Sequence, residues 1–197
     1  MKVERMDNEA ADLKDPASAV WSGLTAENIS LAPVPLAAQP TEYIRVSRAD
    51  QPYGETAEAS ATAVGSGDQL YVRLEWQDDE RPNGEFADAA AVILGSGDNI
   101  ATLGSDDTPL KLWYWADDRD GALNLSSSGP GVVLKNSGVS VSAAASRDDN
   151  RWAVVLSGPA KEVSDSQMGV AIWNGSNDER AGLAAVSGWL SLDMEAS

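Results

Sequence analysis

Histidine and cysteine are both absent from the 197 residues. The side chains able to do chemistry are therefore carboxylates, lysines, tyrosines, methionines and seven tryptophans. Without imidazole or thiol there is no Ser-His-Asp or Cys-His nucleophile, no usual zinc site, no thiolate-held iron–sulfur cluster and no disulfide. Any iron would have to be held by methionine, lysine, tyrosine, a carboxylate or a partner's residues. The carboxylates do not converge on a reaction. Asp106 and Asp107 are adjacent, and on an extended segment neighbouring side chains point apart. The run "ADDRDG", ending at Gly121, has closely spaced oxygens and a glycine turn. It lacks the glutamate that completes a calcium loop of the EF-hand kind, so it reads as a solvated hairpin turn. No catalytic residue is nominated, and the chain is not expected to be an enzyme.

The tryptophans are Trp21, Trp76, Trp113, Trp115, Trp152, Trp173 and Trp189. Indoles are the largest apolar side chains available to a β-structure, so most belong in its core. Trp113, Trp115 and Trp173 are the candidates for lining a pocket. On the strand that carries the first two, Lys111 shares their face, its stem packed along the indoles and its ammonium in water.

The elements that position these residues are strands. In "QLYVRLEW", Leu70, Val72, Leu74 and Trp76 share one face, while Tyr71, Arg73 and Glu75 share the other. Similar runs are "EYIRVS", "ASATAVG", "DAAAVILG", "LKLWYW", "GVSVSAAAS", "RWAVVLSG", "MGVAIWNG" and "GWLSLDM", separated by Gly, Asn, Asp and Ser clusters. Helical periodicity is weak and confined to the N-terminus. The pattern predicts an all-β fold, a two-sheet antiparallel β-sandwich with short helical or irregular connections. One domain over residues 1–197 accounts for the length, with residues 1–15 expected as a mobile end.

Thirty-one acids against fourteen bases give a net charge of −17, spread over many turns rather than gathered in a tail. Such a surface repels nucleic acid and anionic membranes. Its self-repulsion calls for screening by salt, which predicts a halophilic, salt-adapted acidic protein. No apolar run reaches about 18 residues, so no direct membrane span is expected, and the opening "MKVERMDNEAADLKDP" shows no signal peptide of its own.

In order along the chain, "DPASAVWSG", "LAAQPTEYIRV", "GDQLYVRLEWQDDERPNGEFADAAAVILG", "LKLWYWADD", "GVAIWNGSNDERAG" and "AVSGWLSLDM" resemble the haem b-binding gamma subunits of ethylbenzene dehydrogenase and dimethylsulfide dehydrogenase. The most specific parts are the block Arg73 to Val92, the W-x-W strand and "AIWNGSN". The resemblance implies a β-sandwich that holds haem b and relays electrons for a molybdopterin catalytic subunit and its iron–sulfur subunit. It also implies an extracytoplasmic location, reached with an exported partner.

In that family the resemblance places a methionine ligand in a Met-Gly pair before the W-x-W strand and a lysine ligand ahead of a Ser-x-Trp strand. Here Leu103 stands at the first place and Ala184, or a neighbour within one or two residues, at the second. Neither offers a lone pair, so the pocket is expected to hold no haem. The implied role is a relay if haem b is retained, and otherwise a structural subunit with a degenerate pocket. The alternative is a free-standing carbohydrate-binding module, which would need Trp113, Trp115 or Trp173 exposed for stacking.

Overall fold

The computed structural model describes residues 1–7, 9–80, 85–163 and 167–194. Residues 81–84, inside the Arg73–Val92 block, lie outside the described residues. The strands are β1 (Lys2–Arg5), β2 (Glu27–Pro33), β3 (Glu58–Ser66), β4 (Gln69–Gln77), β5 (Ala89–Gly95), β6 (Leu110–Ala116) and β7 (Leu123–Ser127). They continue with β8 (Val133–Lys135), β9 (Ser142–Asp148), β10 (Arg151–Pro159), β11 (Gln167–Trp173), β12 (Ala185–Ser187) and β13 (Asp193–Met194). Two short helices, α1 (Ala10–Lys14) and α2 (Glu42–Ser47), join them.

All the strands lie on one hydrogen-bonded path, β8-β7-β6-β5-β11-β12-β2-β3-β4-β10-β9, with β1 and β13 attached beside β3. The path folds into two layers at β2. Residues 27–30 pair with β3 in the first layer, and residues 31–33 pair with β12 in the second. The β-sandwich expected from alternation is present, with one departure from antiparallel order. β1 runs parallel to both β3 and β13. Where a mobile end is expected, the structure thus places a strand with Val3 buried and a helical turn with Leu13 buried beneath the first layer's outer face.

The core between the layers follows the predicted register. Leu70, Val72, Leu74 and Trp76 of β4 and Val154 and Leu156 of β10 meet Val92, Trp113, Trp115, Val170 and Ile172 of the second layer. Burying such a set is the main favourable contribution to folding, at about 25 cal/mol per Å² of apolar surface. Trp76, Trp115 and Trp152 form one aromatic cluster, with centroids 5.1 to 6.5 Å apart. Trp113 fits because β10 has Gly158 opposite it; a Cβ there would lie 2.6 Å from the indole. On the other face of β4, Arg73 pairs with Glu75 and donates to the Pro16 carbonyl at 2.9 Å.

Two expected strands are corrected. Glu42–Ser47 is helix α2, because Thr41 caps it, its hydroxyl accepting from the Ile44 amide at 3.3 Å. A local cap decides a six-residue segment that no neighbouring strand engages. In "GWLSLDM" only Asp193 and Met194 form a strand, while Leu190 makes an isolated bridge to Met168. Trp189 is drawn away by donating its Nε1 to the Gly97 carbonyl.

Candidate functional site

β6 divides the chemistry. Its odd residues, Trp113 and Trp115, point into the core between the layers, and Lys111 at the end of that face pairs with Glu162 at 3.1 Å. Its even residues, Leu112, Tyr114 and Ala116, form the floor of a cavity of about 320 Å³ on the outer face of the second layer. Ala89 of β5, Leu125 of β7 and Trp173 at the end of β11 extend that floor. This volume lies at the lower end of the range for small-molecule sites.

One wall is Leu103. The 3-10 turn Ile100–Thr102 ends on it in the left-handed region, with φ at +55°. For leucine that backbone costs roughly 1 kcal/mol or more, so something must hold it. Ser127 does, donating its hydroxyl to the Leu103 carbonyl at 2.6 Å. Gly104, at φ +100°, packs so tightly on Ser127 that a Cβ would lie 2.3 Å from its carbonyl oxygen. The clamp fixes the Leu103 side chain in the cavity wall, where it is 2% exposed.

The opposite wall is made of two loops locked together by buried carboxylates. Asp88, fully buried, accepts from the Gly175 amide at 2.9 Å, the Trp152 indole at 3.0 Å and Arg147 at 3.3 Å. Burial pushes Asp88 up to about 6, with the Asp78 charge adding to it and the Gly175 and Trp152 donors opposing it. Asp78 shares the single guanidinium of Arg147 at 3.7 Å, and its Oδ2 has no hydrogen-bond partner. Glu179 accepts from the amides of Gly54 at 2.6 Å and Asn174 at 2.9 Å, and from the Asn177 side chain at 3.1 Å. Burial raises its carboxyl above the ordinary glutamate range despite those donors. Trp173 completes the lock by donating to the Ala181 carbonyl at 3.0 Å.

Two arginines stand at the rim. The Arg119 guanidinium lies 5.9 Å from the Tyr114 ring centroid and pairs with Asp118 at 2.9 Å. Arg180 lies 4.0 Å above Phe86. Tyr114 meets Trp173 edge-on at 5.5 Å, and its phenol is raised above the usual range by burial, which Arg119 partly offsets.

Leu103 and Trp173 both line this cavity. Trp113 and Trp115 do not: they occupy the core on the far side of β6. Ala184 is fully buried behind the cavity, where its carbonyl accepts from the Val34 amide at 2.9 Å, while Arg180 and Ala181 of the same segment reach the wall. Asp88, Glu179 and Arg147 were not singled out from sequence. Each is an isolated charge in an acid-rich chain, and only long-range packing distinguishes it.

A haem fits this cavity in some respects and not in others. The floor is apolar, but the rim carries Glu85 and Asp118 beside Arg119 and Arg180, and among the described residues the lining contains no methionine and no lysine. Tyr114 is the lining side chain whose oxygen belongs to a known class of haem ligand. Among the described residues no group of three or more His, Cys, Asp or Glu is placed to hold a metal ion, and no helix is long and apolar enough to cross a membrane.

No family model matches the sequence. The chain is 32% identical over 195 residues to the chlorate reductase subunit gamma of Ideonella dechloratans, covering 89% of this chain and 77% of that protein. It is 29% identical over 194 residues to the nitrate reductase heme subunit ORF7 of Haloferax mediterranei, covering 89% of this chain. It is 26% identical over 152 residues to the dimethylsulfide dehydrogenase subunit gamma of Rhodovulum sulfidophilum, covering 66% of this chain. The chain spans 66% of the length of the nitrate reductase subunit and 57% of the dimethylsulfide dehydrogenase subunit. In fold it is similar to a family 9 carbohydrate-binding module from Caldicellulosiruptor kristjanssonii in complex with glucose, with a TM-score of 0.54 at 10% identity over 100% of this chain and 96% of that one.

Proposed function

Since the chain belongs to the gamma-subunit family of dimethylsulfide dehydrogenase and chlorate reductase, we propose that it is the non-catalytic accessory subunit of a molybdopterin oxidoreductase, a nitrate reductase or a dehydrogenase. Its partners in this reading are a molybdopterin catalytic subunit and an iron–sulfur subunit, at the extracytoplasmic face, with an exported partner providing the route across the membrane. Haem b, when bound in such a subunit, supplies one-electron transfer. In this chain the pocket has lost the methionine and lysine that the family resemblance places around the iron. The subunit's contribution is then structural rather than a low-spin haem relay.

The observation that carries this reading is Leu103. Its backbone carbonyl is held by Ser127, against which Gly104 packs, and its side chain lies in the wall of an apolar cavity, at the place where the resemblance puts an iron-binding thioether. The carbohydrate-module reading is weaker, because Trp113, Trp115 and Trp173 are each 5% exposed or less and offer no stacking platform. Affinity capture of the full chain from its native host, followed by molybdenum, iron and pterin analysis, tests the assignment. Co-isolation of all three is the expected result. Isolation of the chain alone, with affinity for sugars, would remove it.

A further inference from the structure

Both open edges of the sheet path come from one run of the chain. β8 ends the path on one side and β9 on the other, and apart from Asp148 both lie between Gly121 and Arg147. That run contains no aspartate or glutamate, whereas the next longest acid-free stretch, Asn28 to Thr41, is about half its length. Open edges are normally guarded by charge, because their free N–H and C=O groups template pairing with other chains. β9 is mostly half-buried, and its Arg147 turns inward onto Asp78 and Asp88. β8 is exposed throughout, with Val133 at 48% and Leu134 at 73% beside Val132 at 50%, and Lys135 is its one charge. Its backbone is set for a further strand. The Ser128 amide donates to the Val132 carbonyl at 2.9 Å, and the Asn136 amide to the Asn124 carbonyl at 2.8 Å. These residues face β7, so in the alternating ladder Val133 and Lys135 turn their amides and carbonyls to the open side.

We propose that β8 is the docking edge for an extended segment of an acidic partner subunit, which adds beside it as a further strand. The inference rests on the accessory-subunit reading and deepens it by naming where the partner attaches. Charge selects the occupant. A chain of net charge −17 repels an acidic partner over most of its surface and admits one where acids are absent. The outward amides and carbonyls of Val133 and Lys135 supply main-chain hydrogen bonds to the incoming segment. Val132 and Leu134 share one face of β8 and offer it an aliphatic contact, while the exposed Lys135 takes a carboxylate. A second copy of this chain fits less well, since its β8 brings no carboxylate to Lys135 and the two chains carry the same net charge.

The test compares amide hydrogen exchange in the free full chain with that in the molybdenum- and iron-containing complex captured through it. The amides of Val133 and Lys135 are expected to exchange about 100-fold more slowly in the complex. Unchanged exchange at both, in an intact complex, would overturn the docking edge and leave the accessory-subunit reading in place. Two variants probe the edge directly. Val133→Pro removes an outward donor without taking a hydrogen bond from β7, and Leu134→Asp puts an acid on the strand. Each is expected to lower the yield of complex about 10-fold while the free chain keeps the wild-type circular dichroism. Tyr43→Asp, at an exposed apolar residue of α2, is expected to leave the yield unchanged. Wild-type yields from both edge variants, or an equal loss from Tyr43→Asp, would overturn the proposal. The free chain is expected to sediment as a monomer; a dimer that Leu134→Asp dissociates would overturn the partner assignment in favour of self-pairing. A chain captured without molybdenum and iron would overturn the accessory-subunit reading and this inference with it.

Discussion

The two faces of β6 are built from consecutive residues and have opposite characters. Trp113 and Trp115 point into a filled interior, where Gly158 is kept bare to admit an indole. Leu112, Tyr114 and Ala116 point the other way into a hollow of about 320 Å³, roofed by loops rather than by a second sheet. One strand thus supplies stability on its odd residues and a binding surface on its even ones. The difference teaches where function can reside: substitutions on the packed face act on folding, and those on the open face act on what is bound.

The sharpest way to break this comparison is to empty both faces in turn. Trp113→Ala should cost about 3 to 5 kcal/mol in urea unfolding, because a packed interior relaxes poorly around a missing indole. Leu125→Ala, on the cavity floor, should cost about 2 kcal/mol, since its surroundings are already partly open. Equal costs would mean the cavity is as tightly filled as the core.

The loops that roof the cavity depend on a buried charge cluster, so the next largest effect is at Asp88. Asp88→Ala leaves Arg147, whose side chain is 6% exposed, with only the 3.7 Å contact to Asp78 as its carboxylate partner. Breaking a buried pair in this way costs about 3 kcal/mol, measured by the same unfolding curves. A loss below about 1 kcal/mol would show that Arg147 reaches solvent and that the cluster does not hold the roof.

Salt acts on the whole surface. With a net charge of −17, the chain should melt about 5 °C or more higher in 2 M KCl than in dilute buffer. An unchanged melting temperature would remove the salt-adapted reading.

The smallest effect is a pH dependence. Asp88, raised to about 6 in the folded chain, keeps its proton at pH values where an unfolded aspartate has lost it. At this site the folded state then binds more protons, so the stability that Asp88 contributes is fully present below about pH 4 and falls on the order of 1 to 2 kcal/mol as pH rises to about 6. Asp88→Asn should flatten that slope relative to the wild type. Glu179, raised by burial with the same sign, will leave a residual slope in the variant.

How much of this was legible in the sequence follows from how local each signal is. The alternation in "QLYVRLEW" is a period of two, and it put Leu70, Val72, Leu74 and Trp76 together in the core as expected. "EYIRVS" misled because its β-branched residues alternate as in a strand, while the deciding feature was a threonine cap one residue upstream. Leu103 was singled out only through the family resemblance, which points to the Leu-Gly pair before the W-x-W strand; its side chain lies in the cavity wall. Ala184 was likewise singled out only through the resemblance; in "RAGLAAV" Ala181 lines the cavity and Ala184 lies buried behind it, a difference no local pattern encodes. The W-x-W pair was readable as aromatic but not as inward-facing, because alternation fixes which residues share a face and not which face is enclosed. The roof itself, built by Asp88, Arg147 and Glu179, depends on contacts up to 125 residues apart in sequence, which no local pattern encodes.

The account stands most directly on the absorption spectrum of the purified protein before and after dithionite. A cavity walled by Leu103, with neither methionine nor lysine in its lining among the described residues, predicts that no sharp, low-spin b-type spectrum appears on reduction. A stoichiometric reduced spectrum of that kind would contradict it, because two strong axial donors would then have to reach the iron from residues this structure places elsewhere.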